Sequence, residues 1–162
     1  MIQDPPALAS IQQQWVAVKK LCTGSHRQYI IPGGPFINET PPETFYNLPF
    51  LLAYAVLDQV LDELIAQGTV PRPKGRPLLG TKMTASLTAL PWKDFPMVDS
   101  GKTERNELAH RATLLDREKC FAFIAAIETE LKAWSILWAA RLTPLERAGE
   151  APAAQPGVRR HH

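Results

Sequence analysis

The sequence predicts an all-α fold, a bundle of four or five helices, from where its prolines fall and how its apolar residues are spaced. There are 15 prolines in 162 residues, well above the usual ~5%. They leave four proline-free windows, 7–31, 50–70, 78–90 and 97–143. Proline removes a backbone donor and clashes with the preceding turn, so uninterrupted helices must lie within such windows. Inside them, apolar residues recur at steps of three and four, the period of one helical face. No internal repeat is visible.

The first helix is predicted over Pro6–Leu21, where Leu8, Ile11, Trp15, Val18 and Leu21 share a face and Gly24 supplies a C-terminal signal. Residues 25–43 form a connector, with Tyr29-Ile30-Ile31 as a short extended piece lacking an evident partner strand. Thr40-x-x-Glu43 has the form of a capping box, with Pro41 in the first helical position. The helix after it carries Leu57, Leu61, Leu64 and Ile65 on one side, flanked by Tyr54 and Val60, with Asp58, Asp62 and Glu63 facing outward. Pro49 predicts a kink or a true start near Asn47, and Gly68 ends the helix.

Residues 69–77 are too proline-rich for regular structure. A short helix over Leu79–Leu90 follows, with Met83, Leu87 and Leu90 on its apolar side. Pro91-Trp92 and Pro96 bound a further connector. The stretch 99–114 is helix-capable but polar, with Leu108 and Ala109 its only apolar residues between 99 and 111. Such a helix needs a polar purpose or a partner. The last helix starts at Asp116 as N-cap, with Glu118 in its first turn. Its seam runs through Cys120, Ile124, Ile127, Leu131, Trp134 and Trp138, about five turns. Residues 1–43 are an N-terminal helix and connector packing on the bundle, 44–148 the bundle itself, and 149–162 a disordered tail rich in Ala, Pro and Gly.

Composition narrows the function. Apolar residues make up 45%, enough for a packed core. A net charge of +2 excludes a strongly basic arm that binds polyanions by charge alone. Cys22 and Cys120, in apolar surroundings without CxxC spacing, are expected reduced and buried. The chain has no long apolar run and no signal-peptide layout, so a cytoplasmic protein without membrane association is expected. Gly33-Gly34 lacks the Lys-Ser/Thr of a phosphate loop and reads as a turn.

The chemistry concentrates in Arg105-Asn106-Glu107-Leu108-Ala109-His110. On a helix Asn106 and His110 lie about 40° apart, whereas Arg105 and His110 lie about 140° apart. That offset suits a composite cleft at a two-fold dimer seam, to which each copy brings both residues. Histidine suits proton transfer because its ordinary pKa, ~6.5, lies near working pH. Arginine suits a phosphate through its planar fork and permanent charge.

This Arg-Asn-x3-His run resembles the Rx4–6H signature of the HEPN superfamily, and a long amphipathic helix after the motif matches the layout of those domains. The resemblance covers roughly residues 44–142. It implies a metal-independent endoribonuclease that leaves a 2′,3′-cyclic phosphate, without cofactor, acting on RNA as a homodimer in a toxin–antitoxin or phage-defence system. The catalytic residues would be Arg105, Asn106 and His110, with His110 moving protons, Arg105 stabilising phosphate charge and Asn106 orienting. An antitoxin protein is the further partner it implies. One toxin subfamily carries a tyrosine two residues after the histidine, where a partner enzyme modifies it; here that position is Ala112, so this route of silencing does not carry over.

Other readings stay open. A non-catalytic HEPN-like module or regulator would use the same helix to bind RNA or a protein, and a nucleotide sensor would use Arg105 for a free phosphate. Arg72, Lys74 and Arg76 form a basic cluster in a proline-stiffened loop. It reads first as solvated surface and then, with Arg111, as a candidate grip on RNA phosphates. Glu107 and Arg111 have the spacing of an exposed i,i+4 pair. Asp99, Glu104, Glu107 and Asp116 lack any accompanying metal-ligand pattern, so no metal is expected. Trp134 and Trp138 are core or dimer residues before they are stacking platforms. The terminal Arg159-Arg160-His161-His162 is too short for a metal site.

Overall fold

A computed structural model describes residues 1–23, 27–29, 37–39 and 41–137, with the backbone alone at 27–29 and 37–39. The described chain is all-α apart from one small pair of strands. In order it comprises α1 (Pro5–Thr23), β1 (Arg27–Tyr29), β2 (Ile37–Glu39), a 3-10 turn over Glu43–Tyr46, α2 (Asn47–Ala66), α3 (Leu79–Ser86), α4 (Phe95–Arg111) and α5 (Arg117–Ala133). No helix among the described residues is long and apolar enough to cross a membrane.

α2 is the central post. It packs against each of the other four helices, and its face from Phe50 through Tyr54, Leu57 and Leu61 to Leu64 is buried. Pro49 stands in its first turn because the helix starts at Asn47, where proline's missing donor costs nothing. Asn47 is buried, and its side-chain amide closes both backbone groups of Leu115, donating to the carbonyl (2.9 Å) and accepting from the N–H (3.0 Å). α1 lays Ile11, Trp15 and Val18 on this core, and its flanks are tied down by Gln14 to Gln59 (2.8 Å) and Lys19 to Glu128 (2.7 Å). At the far end of α2, Gly68 takes a positive φ of 78° and stops the helix.

α5 starts at Asp116, whose carboxylate accepts from the Lys119 N–H at 2.8 Å, and buries Cys120, Ile124, Ile127 and Leu131. Its seam is shorter than the periodicity predicts. The helix ends at Ala133, Trp134 caps it, and Ser135 turns into the left-handed region. The N–H of Ile136 then returns to the Leu131 carbonyl and that of Ser135 to Lys132, a Schellman closure that needs no glycine in the sequence. Trp134 packs edge-on against Trp92 at 4.7 Å. Trp138, Gly24, Thr40, Ile30, Ile31 and the tail 149–162 lie outside the described residues.

Other expectations need correction. Tyr29 does have a partner: β1 pairs antiparallel with β2, Tyr29 opposite Ile37. A three-residue strand is too short for alternation to reveal. α3 ends at Ser86, four residues early, so Leu87 falls out of phase and is exposed. Pro91 disfavours helix in the residue before it, and the buried Ser86 hydroxyl instead receives the Trp92 indole N–H at 3.0 Å. Asp58 and Asp62 do not simply face solvent. Both accept from the buried Lys82 ammonium at 2.7 Å. Burial alone would lower the pKa of Lys82, but the bonds to Asp58 and Asp62 outweigh it and hold the value above that of an ordinary lysine. Cys120 is buried as expected, while Cys22, in the last turn of α1, is only half-buried. Burial pushes the Cys120 thiol up to about 11.

Candidate functional site: a cationic cleft between α3 and α4

The polar helix predicted over 99–114 starts earlier, at Phe95, and takes Pro96 into its first turn. Asp94 caps it, accepting from the Met97 N–H at 3.1 Å. The entry to α4 is fixed from below by Glu130 of α5, which is fully buried. Its two carboxylate oxygens accept from the backbone N–H groups of Lys93 (2.9 and 2.8 Å) and Asp94 (2.6 Å). Charge-assisted bonds of this kind satisfy a carboxylate that would otherwise be costly to bury.

α4 packs Phe95, Met97, Val98 and Leu108 on the core, while its middle docks by close approach. Val98 and Gly101 are its buried residues. The Tyr54 hydroxyl donates to the Val98 carbonyl at 2.8 Å. A Cβ at Gly101 would overlap that hydroxyl and come within 2.6 Å of the Phe123 ring. Gly101 therefore sets how near α4 lies to α2 and α5, and so which way its polar face points. The helix closes at Ala112, in the left-handed region at φ 53°, whose N–H returns to the Leu108 carbonyl at 3.1 Å.

That polar face forms one wall of a cleft of about 790 Å³. Lys102, Arg105, Asn106 and His110 come from α4, Gly80, Thr81, Thr84 and Ala85 from α3, and Leu78, Pro73 and Lys74 from the loop before it. Arg105, Asn106 and His110 thus share a cleft within a single chain. The 140° offset on the helix is bridged by the width of the cleft and the length of the arginine stem.

The electrostatics are one-sided. Two lysines, an arginine and a histidine line the cleft, and among the described residues no carboxylate does. Lys102 is paired with Asp99 at 2.5 Å. Arg105 and Lys74 have no acidic partner among the described residues. Arg105 donates from Nη1 to the Asn106 Oδ1 at 3.2 Å, while its Nε is buried without a hydrogen-bond partner. Asn106 therefore orients the arginine; no hydrogen bond joins it to His110, the residue its spacing suggests.

The basic loop divides. Lys74 lines this cleft, whereas Arg72 lines a separate one of about 400 Å³ with Asp62 and Ile65. Arg76 lines neither, and its carbonyl accepts from Leu78 and Thr81. Arg111 is paired with Glu107 at 3.0 Å, as the spacing predicts, and stays outside the cleft. Lys102 is the site residue the sequence reading missed. A signal was present, since Lys102, Asn106 and His110 are spaced i, i+4, i+8 and lie on one helical stripe.

No family model, curated protein or solved structure matches the chain. What the site can do is accordingly a matter of its own chemistry: it can hold an anion against fixed cations with an imidazole at hand.

Proposed function

We propose that the chain is a metal-independent endoribonuclease of HEPN type, with the cleft between α3 and α4 as its active site. The observation that carries this reading is the lining: Arg105, Lys74 and Lys102 beside His110, with no carboxylate among the described residues. A phosphodiester is the anion such a lining suits, because spread positive charge stabilises the extra negative charge of the pentacoordinate phosphate. A divalent metal would find no carboxylate among the described lining residues and would face three like-charged side chains. His110 is the group able to take the proton of a ribose 2′-hydroxyl or return one to the leaving 5′-oxygen. Arg105, steadied by Asn106, offers its remaining guanidinium donors to the phosphate. Attack of the 2′-oxygen on phosphorus breaks the bond to the 5′-oxygen and leaves a 2′,3′-cyclic phosphate. A second copy of the chain would bring a second His110, so that one imidazole acts as base and the other as acid.

The test is incubation of RNA with the purified chain in EDTA. Wild type cleaves; His110→Ala loses about 10²–10⁴-fold in rate and Arg105→Ala about 10²–10³-fold. Wild type that leaves RNA intact overturns the proposal. One feature favours a second reading, in which the module binds RNA or a protein without cutting: His110 has no hydrogen-bond partner among the described residues to orient its ring. Binding of RNA without cleavage, unchanged by His110→Ala, is the outcome that selects it. A toxin or defence role adds a cellular consequence: expression arrests growth, and His110→Ala relieves the arrest.

A further inference from the structure

The cleft is longer than one phosphate needs. Along α4, Lys102 and His110 are eight residues apart, about 12 Å of helix axis. A polynucleotide strand advances about 3.4 Å per phosphate in a duplex and more when extended, so two or more phosphates fit beside this stripe. The cations are also spread in that direction. Arg105 stands in the middle, Lys102 lies toward the start of the helix, and Lys74 enters from the loop.

Lys102 is placed to reach the ligand. Its side chain lies along Gly80 of α3, with Cδ and Nζ each 3.5 Å from where a Cβ on that glycine would stand. Its one ionic partner among the described residues is Asp99, itself substantially exposed and only one turn away on the same helix. A short-range pair at the surface is worth little, so a phosphate can displace it at small cost.

We propose that Lys102 is a binding residue for a second phosphate, the neighbour of the one held at Arg105 and His110. The ligand of the cleft is then a chain of at least two linked phosphates rather than a mononucleotide. Asp99 pairs with Lys102 and gives it up to the phosphate when the strand binds. This rests on the phosphate reading of the cleft given above, but not on cleavage.

The test is direct binding of a labelled 2′-O-methyl oligouridylate, which presents RNA's phosphates but has no free 2′-hydroxyl to attack, beside the corresponding mononucleotide. Wild type binds the oligomer more tightly than the mononucleotide. Lys102→Met weakens the oligomer roughly tenfold and the mononucleotide far less. It also lowers the slope of log affinity against log salt by about 0.7. Lys102→Arg restores the oligomer, and Asp99→Asn tightens it about two- to threefold by removing the competing carboxylate. A disturbed fold cannot mimic this pattern, because it would weaken both probes alike and would not give Asp99→Asn the opposite sign.

Equal loss on both probes, or no effect of either Lys102→Met or Asp99→Asn, overturns the proposal. Wild type that binds neither probe overturns it too. The pattern above without RNA cleavage supports the second phosphate and removes the nuclease reading. Cleavage with an unaltered KM in Lys102→Met keeps the nuclease and removes the second phosphate.

Discussion

Ser135 and Ala112 occupy the left-handed region at φ 58° and 53°, where a side chain meets the following carbonyl. Both close helices that glycine would close with less strain. Replacing Ser135 by Gly relieves about 1–2 kcal/mol of that strain and returns about 0.4–1 kcal/mol as unfolded-chain entropy. Stability should rise by about 0.5–1 kcal/mol, read as a higher urea midpoint without a change of slope. Glu130 shows the opposite dependence. Its carboxylate is fully buried and serves the N–H groups of Lys93 and Asp94. Glu130→Ala leaves both donors unsatisfied and should cost about 2–5 kcal/mol by denaturant unfolding, with Glu130→Gln milder because it keeps an acceptor.

At the scale of elements, α4 is the instructive one. A glycine in mid-helix costs about 1 kcal/mol relative to alanine, yet Gly101 is where α4 meets Tyr54 and Phe123. Gly101→Ala gains that propensity and forces an overlap that costs about 1–3 kcal/mol or more, together with the Tyr54–Val98 bond. The net effect should be destabilising. Since α4 carries Lys102, Arg105, Asn106 and His110, oligouridylate binding should fall with it. A variant more stable than wild type, with binding intact, would show that the helix does not depend on this approach. The chain displays no hint of that role in its apolar pattern. Glycine has no place in a hydrophobic stripe, and its importance comes from what lies opposite.

For the whole molecule, Glu128 joins α1 to the end of α5. Lys19 and Lys132 both reach it at 2.7 Å. Partial burial pushes its carboxyl upward, but the bonds from Lys132 and Lys19 outweigh burial and hold it below the ordinary glutamate range. A folded pKa below the unfolded one gives stability that is present above about pH 4.3 and lost as pH falls through the folded value. Glu128→Gln should therefore flatten the acid limb of the stability curve and leave the alkaline limb unchanged. Mass in solution is the other test at this scale. Light scattering should return twice 18.0 kDa if a second copy completes the cleft. A strict monomer overturns the proposed contribution of a second copy to the cleft.

Much of the fold follows from local rules that the chain states in order. Proline-free windows bound the helices, apolar spacing marks the faces of α1, α2 and α5, and Asp116 marks where α5 begins. The same reading singles out Arg105, Asn106 and His110, because residue chemistry and helical angle need no tertiary contact to be seen. It cannot place them in one cleft, since their offset on the helix argues for two chains. That is decided by α3 and the Lys74 loop standing opposite α4. Nor does it show that Lys74 faces the site while Arg72 faces elsewhere, or that Lys102 belongs to it. Those assignments depend on distances between segments far apart in the chain, which Gly101, Glu130 and Tyr54 set through contacts that have no period.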